Sequence, residues 1–206
     1  MAITRGPSIV RDGLVLCLDA KDPNSYPGSG STWYDLSGNN FDYTLGANLT
    51  YNSSNKTFTL GNSGGGGGGA TTNNAISTST SCTLVLWIKS TETQALFWGS
   101  NSSYYVGAYK SSNKEYYGAN VGSPDYYQDL VEKANIYDHF RDGNWHMVEF
   151  KNVNFSTWTS ANHYFNSYGT FEFGNGECAQ ILMYDRVLSS SESSQNYNSF
   201  KSRFGL

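Results

Sequence analysis

The apolar positions of this chain recur in short runs separated by turn formers, and few of them keep a helical spacing. Leu14, Val15, Leu16, Cys17 and Leu18 are consecutive, which predicts a strand with both faces covered. Asp22-Pro23-Asn24-Ser25 and Pro27-Gly28-Ser29-Gly30 then break the chain into turns, because proline presets φ and glycine permits a positive φ. Trp33 and Tyr34 return it to an apolar surface before Asp35-Leu36-Ser37-Gly38-Asn39-Asn40 turns it again. Loose alternation of Leu49, Tyr51, Phe58 and Leu60 predicts a half-buried strand or hairpin.

Within Ala75 to Lys89, the nearly continuous run Thr83-Leu84-Val85-Leu86-Trp87-Ile88 is the clearest central strand, with Leu96-Phe97-Trp98 as the next. Tyr104 to Tyr109 and Tyr116 to Ala119 predict a hairpin around Lys110-Ser111-Ser112-Asn113-Lys114. Tyr126 to Phe140 partly fits a helix and partly a short strand followed by a turn. Trp145 to Phe150 alternates cleanly behind Asp142-Gly143-Asn144. Tyr164-Phe165-Asn166 and Phe171-Glu172-Phe173 flank another hairpin turn, and Cys178 to Tyr184 is the last strong strand. Ser189 and Glu192 then stand at capping-box spacing, so a short helix follows. Its Tyr197 and Phe200, with Phe204, fall near one face and predict that it staples the C-terminus onto the strands.

With 206 residues the chain suits one all-β domain, residues 1–206. Only 15% of the residues are charged and the net charge is −4, which implies neither a nucleic-acid groove nor a polybasic membrane patch. No apolar run is long enough to span a bilayer, and the start, MAITRGPSIVRDG, lacks the apolar segment of a signal peptide, so a soluble, leaderless chain is expected. Cys17, Cys82 and Cys178 lie in or beside apolar runs without zinc or redox spacing; buried free thiols and a reducing compartment are expected.

Two motif matches are cheap. Gly61-Asn62-Ser63-Gly64-Gly65 satisfies G-x-S-x-G, but glycine continues to position 69 and cannot start the helix that a nucleophile elbow needs. The G-x-G-x-x-G match in the same run has no βαβ unit around it. Glu172 and Glu177 are the nearest paired carboxylates, separated by Phe173-Gly174-Asn175-Gly176, and the glycines predict a turn rather than one strand face.

Four segments resemble a known family. Gly13 to Ala20 with Trp33 to Asn39 resembles the first strand and following loop of laminin G-like, or concanavalin A-like, domains. Asp142-Gly143-Asn144-Trp145-His146-Met147-Val148 resembles their D-G-x-W-H-x-V strand entry. Tyr164-Phe165-Asn166 stands where the family has Y-x-N-G, with Ser167 in place of the glycine. Ile181 to Ser189, through Gln195-Asn196-Tyr197 to Arg203-Phe204-Gly205-Leu206, is similar to the ends of such domains in structural proteins of tailed bacteriophages.

The resemblance implies a two-sheet antiparallel jelly-roll sandwich with a short C-terminal helix, its first and last strands adjacent. It implies a virion surface protein, assembled in the host cytoplasm, that decorates a capsid or tail without catalysing a reaction. Its partners would be other virion proteins, copies of itself and host-surface or environmental polysaccharide; the alternative is a carbohydrate-binding adhesin, and a third reading is a polysaccharide hydrolase that uses Glu172 or Glu177. Related glucanases use paired glutamates around an aspartate, which Glu172 to Glu177 lacks. Related jelly rolls often hold calcium, for which Asp19, Asp35, Asn39 and Asp42 offer oxygens; the same residues would equally make Asx turns. His146 resembles the family's structural histidine. The tyrosine-rich stretch supplies the candidate ligand contacts Tyr104, Tyr105, Tyr109, Tyr116 and Tyr117, whose rings would stack on sugars or bury in an interface.

Overall fold

The computed structural model describes residues 8–61, 69–72, 74, 76, 79–91, 95–101, 104–108, 117–119, 121–133, 142–156, 163–165 and 176–206. Its strands are β1 (Leu14–Asp19), β2 (Thr32–Trp33), β3 (Tyr43–Leu45), β4 (Leu49–Asn52), β5 (Thr57–Leu60), β6 (Ala70–Thr72), β7 (Cys82–Ser90) and β8 (Ala95–Asn101). There follow β9 (Tyr104–Ala108), β10 (Tyr117–Ala119), β11 (Asp125–Gln128), β12 (Val131–Glu132), β13 (Trp145–Val153), β14 (His163–Phe165) and β15 (Gly176–Tyr184). Helix α1 (Ser190–Phe200) and a 3-10 turn (Lys201–Arg203) close the chain.

These strands form two antiparallel sheets, the expected sandwich. The larger runs β12-β11-β13-β7-β15-β5-β4, with β1 also paired to β15; the smaller runs β10-β9-β8-β14-β6-β3-β2. The first strand meets the last: Leu16 lies opposite Met183, Cys17 opposite Leu182 and Leu18 opposite Ile181. A register irregularity between Cys178 and Gln180 lets β15 serve β5 with its first residues and β1 with its last.

The continuous apolar runs of β7 and β15 have a direct cause, because both faces of the larger sheet are covered. Leu84, Leu86, Ile88, Phe150, Ile181 and Met183 face inward, with Trp33, Tyr43 and Phe58, in the core between the sheets. Val85, Trp87, Met147, Leu182 and Tyr184 face outward, under Ile9, Val10, Leu188 and Phe200. The helix is therefore the staple that its apolar positions predicted. Ser189 caps it, its side chain accepting from the Glu192 amide while the Glu192 side chain accepts from the Ser189 amide. Glu192 also binds the Arg186 guanidinium, Nη2 to Oε1 at 2.6 Å, and the contact with Arg186 is the main reason its pKa lies at about 2. The terminal string that resembles phage proteins is thus accounted for locally by capping and strand closure.

Some expectations are corrected. The stretch from Tyr126, for which the sequence leaves helix and short strand both open, takes the strand alternative over its described part: Tyr126 lies opposite Phe150 within β11 and packs in the core. Gly176 opens β15 opposite Leu60 rather than completing a turn. Residues 62–68, with all but the last glycine of the polyglycine run 64–69, the 109–116 hairpin tip and the stretch 166–175, with Glu172, lie outside the described residues.

Candidate functional site

Alternation carries a polar row onto the outer face of the larger sheet, beyond the end of the C-terminal staple. Trp145 of β13 lies opposite Lys89 of β7, and Lys89 lies opposite Glu177 of β15. Lys89 Nζ binds Glu177 Oε1 at 2.8 Å, and Glu177 Oε2 accepts from Thr57 Oγ1 and from Asn55 Nδ2. Burial works against that carboxylate, but the hydrogen bonds from Lys89, Thr57 and Asn55 outweigh it and hold its pKa below the ordinary value.

Loops raise walls around this floor and leave a cleft of about 490 Å3. One wall is the β4–β5 turn with Ser54, Asn55 and Lys56, shaped by Asn52, whose Oδ1 accepts from the amides of Ser54 and Asn55. Lys56 completes that turn with a left-handed backbone, φ 59°. A second wall is Lys21, placed by the turn that follows β1. The third is the chain end: Phe204 stacks on Trp145 with ring centroids 4.3 Å apart and on Trp87 at 4.9 Å, and Arg203 lies over Phe200 and Phe204. Asp19 anchors this end. It accepts from Arg203 Nη1 at 3.0 and 3.2 Å through its two oxygens, and from the Lys21 amide at 2.9 Å.

The residues nominated from the sequence lie elsewhere. Tyr104 and Tyr105 open β9 and Tyr117 opens β10, with Tyr117 opposite Gly107, so the expected hairpin forms, in the smaller sheet. Tyr109 and Tyr116, and the side chains of the other three, lie outside the described residues. Of the proposed calcium ligands, Asp19 is taken up by Arg203 and the other three face backbone. Asp35 accepts from the amides of Cys17, Ser37 and Phe41, Asp42 accepts from the Asp35 amide, and Asn39 donates to the Val15 carbonyl. Among the described residues no three His, Cys, Asp or Glu side chains group closely enough to hold a metal ion.

His146 is bracketed by carboxylates, Nδ1 at 2.6 Å from Asp129 and Nε2 at 3.0 Å from Asp142. Burial lowers its pKa, yet those hydrogen bonds and charges prevail and raise it. The three cysteines are buried. Burial pushes the Cys17 thiol up to about 12 and the Cys178 thiol up as well, far from thiolate character at neutral pH.

No family model matches the chain, and no curated protein does. Solved structures do match its fold. The botulinum neurotoxin serotype D ligand binding domain, in complex with N-acetylneuraminic acid, is similar with a TM-score of 0.56 and 13% identity, over 91% of this chain and 51% of that one. The sialidase of Trypanosoma rangeli in complex with the inhibitor DANA is similar with a TM-score of 0.53 and 16% identity, over 95% of this chain and 35% of that one. The same sialidase in another structure gives 0.52 and 17%, over 93% and 33%. This chain therefore spans about half of the neurotoxin domain and about a third of the sialidase. At such identities the likeness establishes the sandwich alone.

The comparison corrects the expectation that the chain is not an enzyme. Chains that contain this sandwich include sialidases, so neither the fold nor the missing glutamate–aspartate–glutamate pattern excludes catalysis. The physical reason is that a sandwich is a scaffold, and chemistry depends on side chains mounted on it or beside it.

Proposed function

We propose that this chain is a carbohydrate-binding module whose ligand lies in the cleft bounded by the C-terminal turn. The observation that carries the reading is the cleft itself. Its volume is within the range of roughly 300–1,000 Å3 common to small-ligand sites. Trp145 is half-buried, stacked on Phe204 with Lys89 Nζ 5.7 Å from its ring centroid; the part of the ring left exposed offers an apolar surface to the C–H face of a sugar, and Asn55, Ser54 and Lys21 offer hydrogen-bonding groups for its hydroxyls. N-acetylneuraminic acid, the ligand in the neurotoxin complex, supports the same class. The tyrosine hairpin of β9 and β10 would be a second contact surface, on the other sheet, with repeated weak contacts adding avidity.

Placement of such a module on a phage particle, beside other virion proteins, is supported by the terminal string alone; immunogold labelling of purified particles tests it, and unlabelled particles refute it. Titration calorimetry against a panel of purified oligosaccharides tests the binding itself. One aromatic–sugar contact worth about 1.4 kcal/mol makes Trp145→Ala about tenfold weaker. A panel with no binder, or a Trp145→Ala protein that binds like wild type, refutes the reading.

A further inference from the structure

The cleft carries a charge opposite to that of the whole chain. Net charge is −4, yet four cations, Lys21, Lys56, Lys89 and Arg203, line the cleft. Among the described residues two carboxylates pair with them, Glu177 with Lys89 and Asp19 with Arg203. Lys21 and Lys56 are exposed and make no ion pair among the described residues. Arg203 is only half satisfied: Nη1 binds Asp19, while Nη2 is buried without a hydrogen-bond partner among the described residues. That nitrogen is sealed from solvent, so the guanidinium, lying over Phe200 and Phe204, contributes positive charge to the cleft wall rather than a donor a ligand could reach.

We infer that the cleft selects an acidic glycan, its anionic group held by the exposed Lys21 and Lys56, with the Arg203 charge behind them, while a sugar ring lies against the exposed part of Trp145. The inference rests on the carbohydrate-binding reading and adds the ligand's charge. Glu177 has a complementary part: paired with Lys89, Thr57 and Asn55, it fixes the floor without cancelling the two free lysines at the rim. A wet, partly exposed site also predicts a salt dependence, because exposed charges are screened over about 8 Å at physiological ionic strength.

Calorimetry with matched ligand pairs tests this on the full chain. Sialyllactose against lactose presents a carboxylate or none; sulfated carrageenan oligosaccharide against its desulfated form presents a sulfate or none. The expected result is that at least one acidic member binds ten times or more tightly than its neutral partner, and that this advantage shrinks in 0.5 M salt. Lys21→Gln and Lys56→Gln, both at exposed positions without ion pairs, should each weaken the acidic ligand several-fold and leave the melting temperature unchanged. If neutral sugars bind as well as acidic ones and the lysine variants behave like wild type, while Trp145→Ala still weakens binding about tenfold, the charge inference is overturned and the carbohydrate reading survives. If no ligand of the panel binds, both are overturned.

Discussion

Replacing Phe204 by alanine should weaken the fold and the cleft together. The ring rests on two others, Trp145 at 4.3 Å and Trp87 at 4.9 Å, with interplanar angles of 24° and 27°. A fully buried Phe→Ala change costs about 3–5 kcal/mol, and Phe204 is half-buried, so its transfer and cavity contribution is about half of that. Each stacked pair adds roughly 0.5–1.5 kcal/mol beyond burial, though part of it is recovered when Trp145 and Trp87 close together. A loss of about 2–3 kcal/mol follows, and for a domain of this length each kcal/mol lowers Tm by about 2–4 °C. Differential scanning calorimetry of Phe204→Ala should therefore show a drop of about 4–12 °C, and Phe204→Leu, which keeps most of the apolar area, should fall by less than half as much. Hydrogen exchange should localise the extra opening to α1 and the strands beneath it. A Tm within 1 °C of wild type, with unchanged exchange at Trp87 and Tyr197, would refute the staple as a source of stability.

Two further perturbations probe charges that packing holds in place. His146 has a raised pKa in the fold, so its pairing with Asp129 and Asp142 is fully present below its unfolded value of 6.5 and is lost as pH rises through the folded value. His146→Gln should consequently lower Tm more at pH 5.5 than at pH 9; an equal deficit at both contradicts this account. Lys151 lies 3.6 Å from the fully buried Glu149 and donates to the Leu188 carbonyl at 3.0 Å. Lys151→Met leaves that carboxylate uncompensated at a cost of about 3–5 kcal/mol. Because burial already raises the Glu149 pKa, the deficit in urea melts should be full where the carboxyl is ionised and shrink as falling pH protonates it, whereas a pH-independent loss would point to packing alone.

The sandwich was legible because its signals are local. Val85, Trp87, Leu182 and Tyr184 alternate with inward-facing residues on strands covered on both sides, so each run is apolar from end to end. Ser189 and Glu192 are three residues apart, and a capping box needs nothing more. The cleft was not legible, since Lys21, Asn55, Lys89, Trp145 and Arg203 come from five separate segments. Aromatic density is local as well, and it points to the tyrosine hairpin instead. One signal was available: Lys89 and Glu177 are charges inside or beside apolar strand runs, and oppositely charged residues in such places ask for each other. The same logic would have flagged Glu149 and Lys151, whose burial no periodicity reveals.

The pairing of β1 with β15 has a consequence for synthesis. Leu18 takes its place against Ile181. A ribosome adding about 5–20 residues per second makes that partner roughly 160 residues, or about 8–30 seconds, after the first strand leaves the exit tunnel. Through that interval the Leu14–Leu18 segment is an apolar ribbon with no ladder to join. Nascent chains halted before Gly176 should therefore recruit holding chaperones that those halted beyond Leu206 have released.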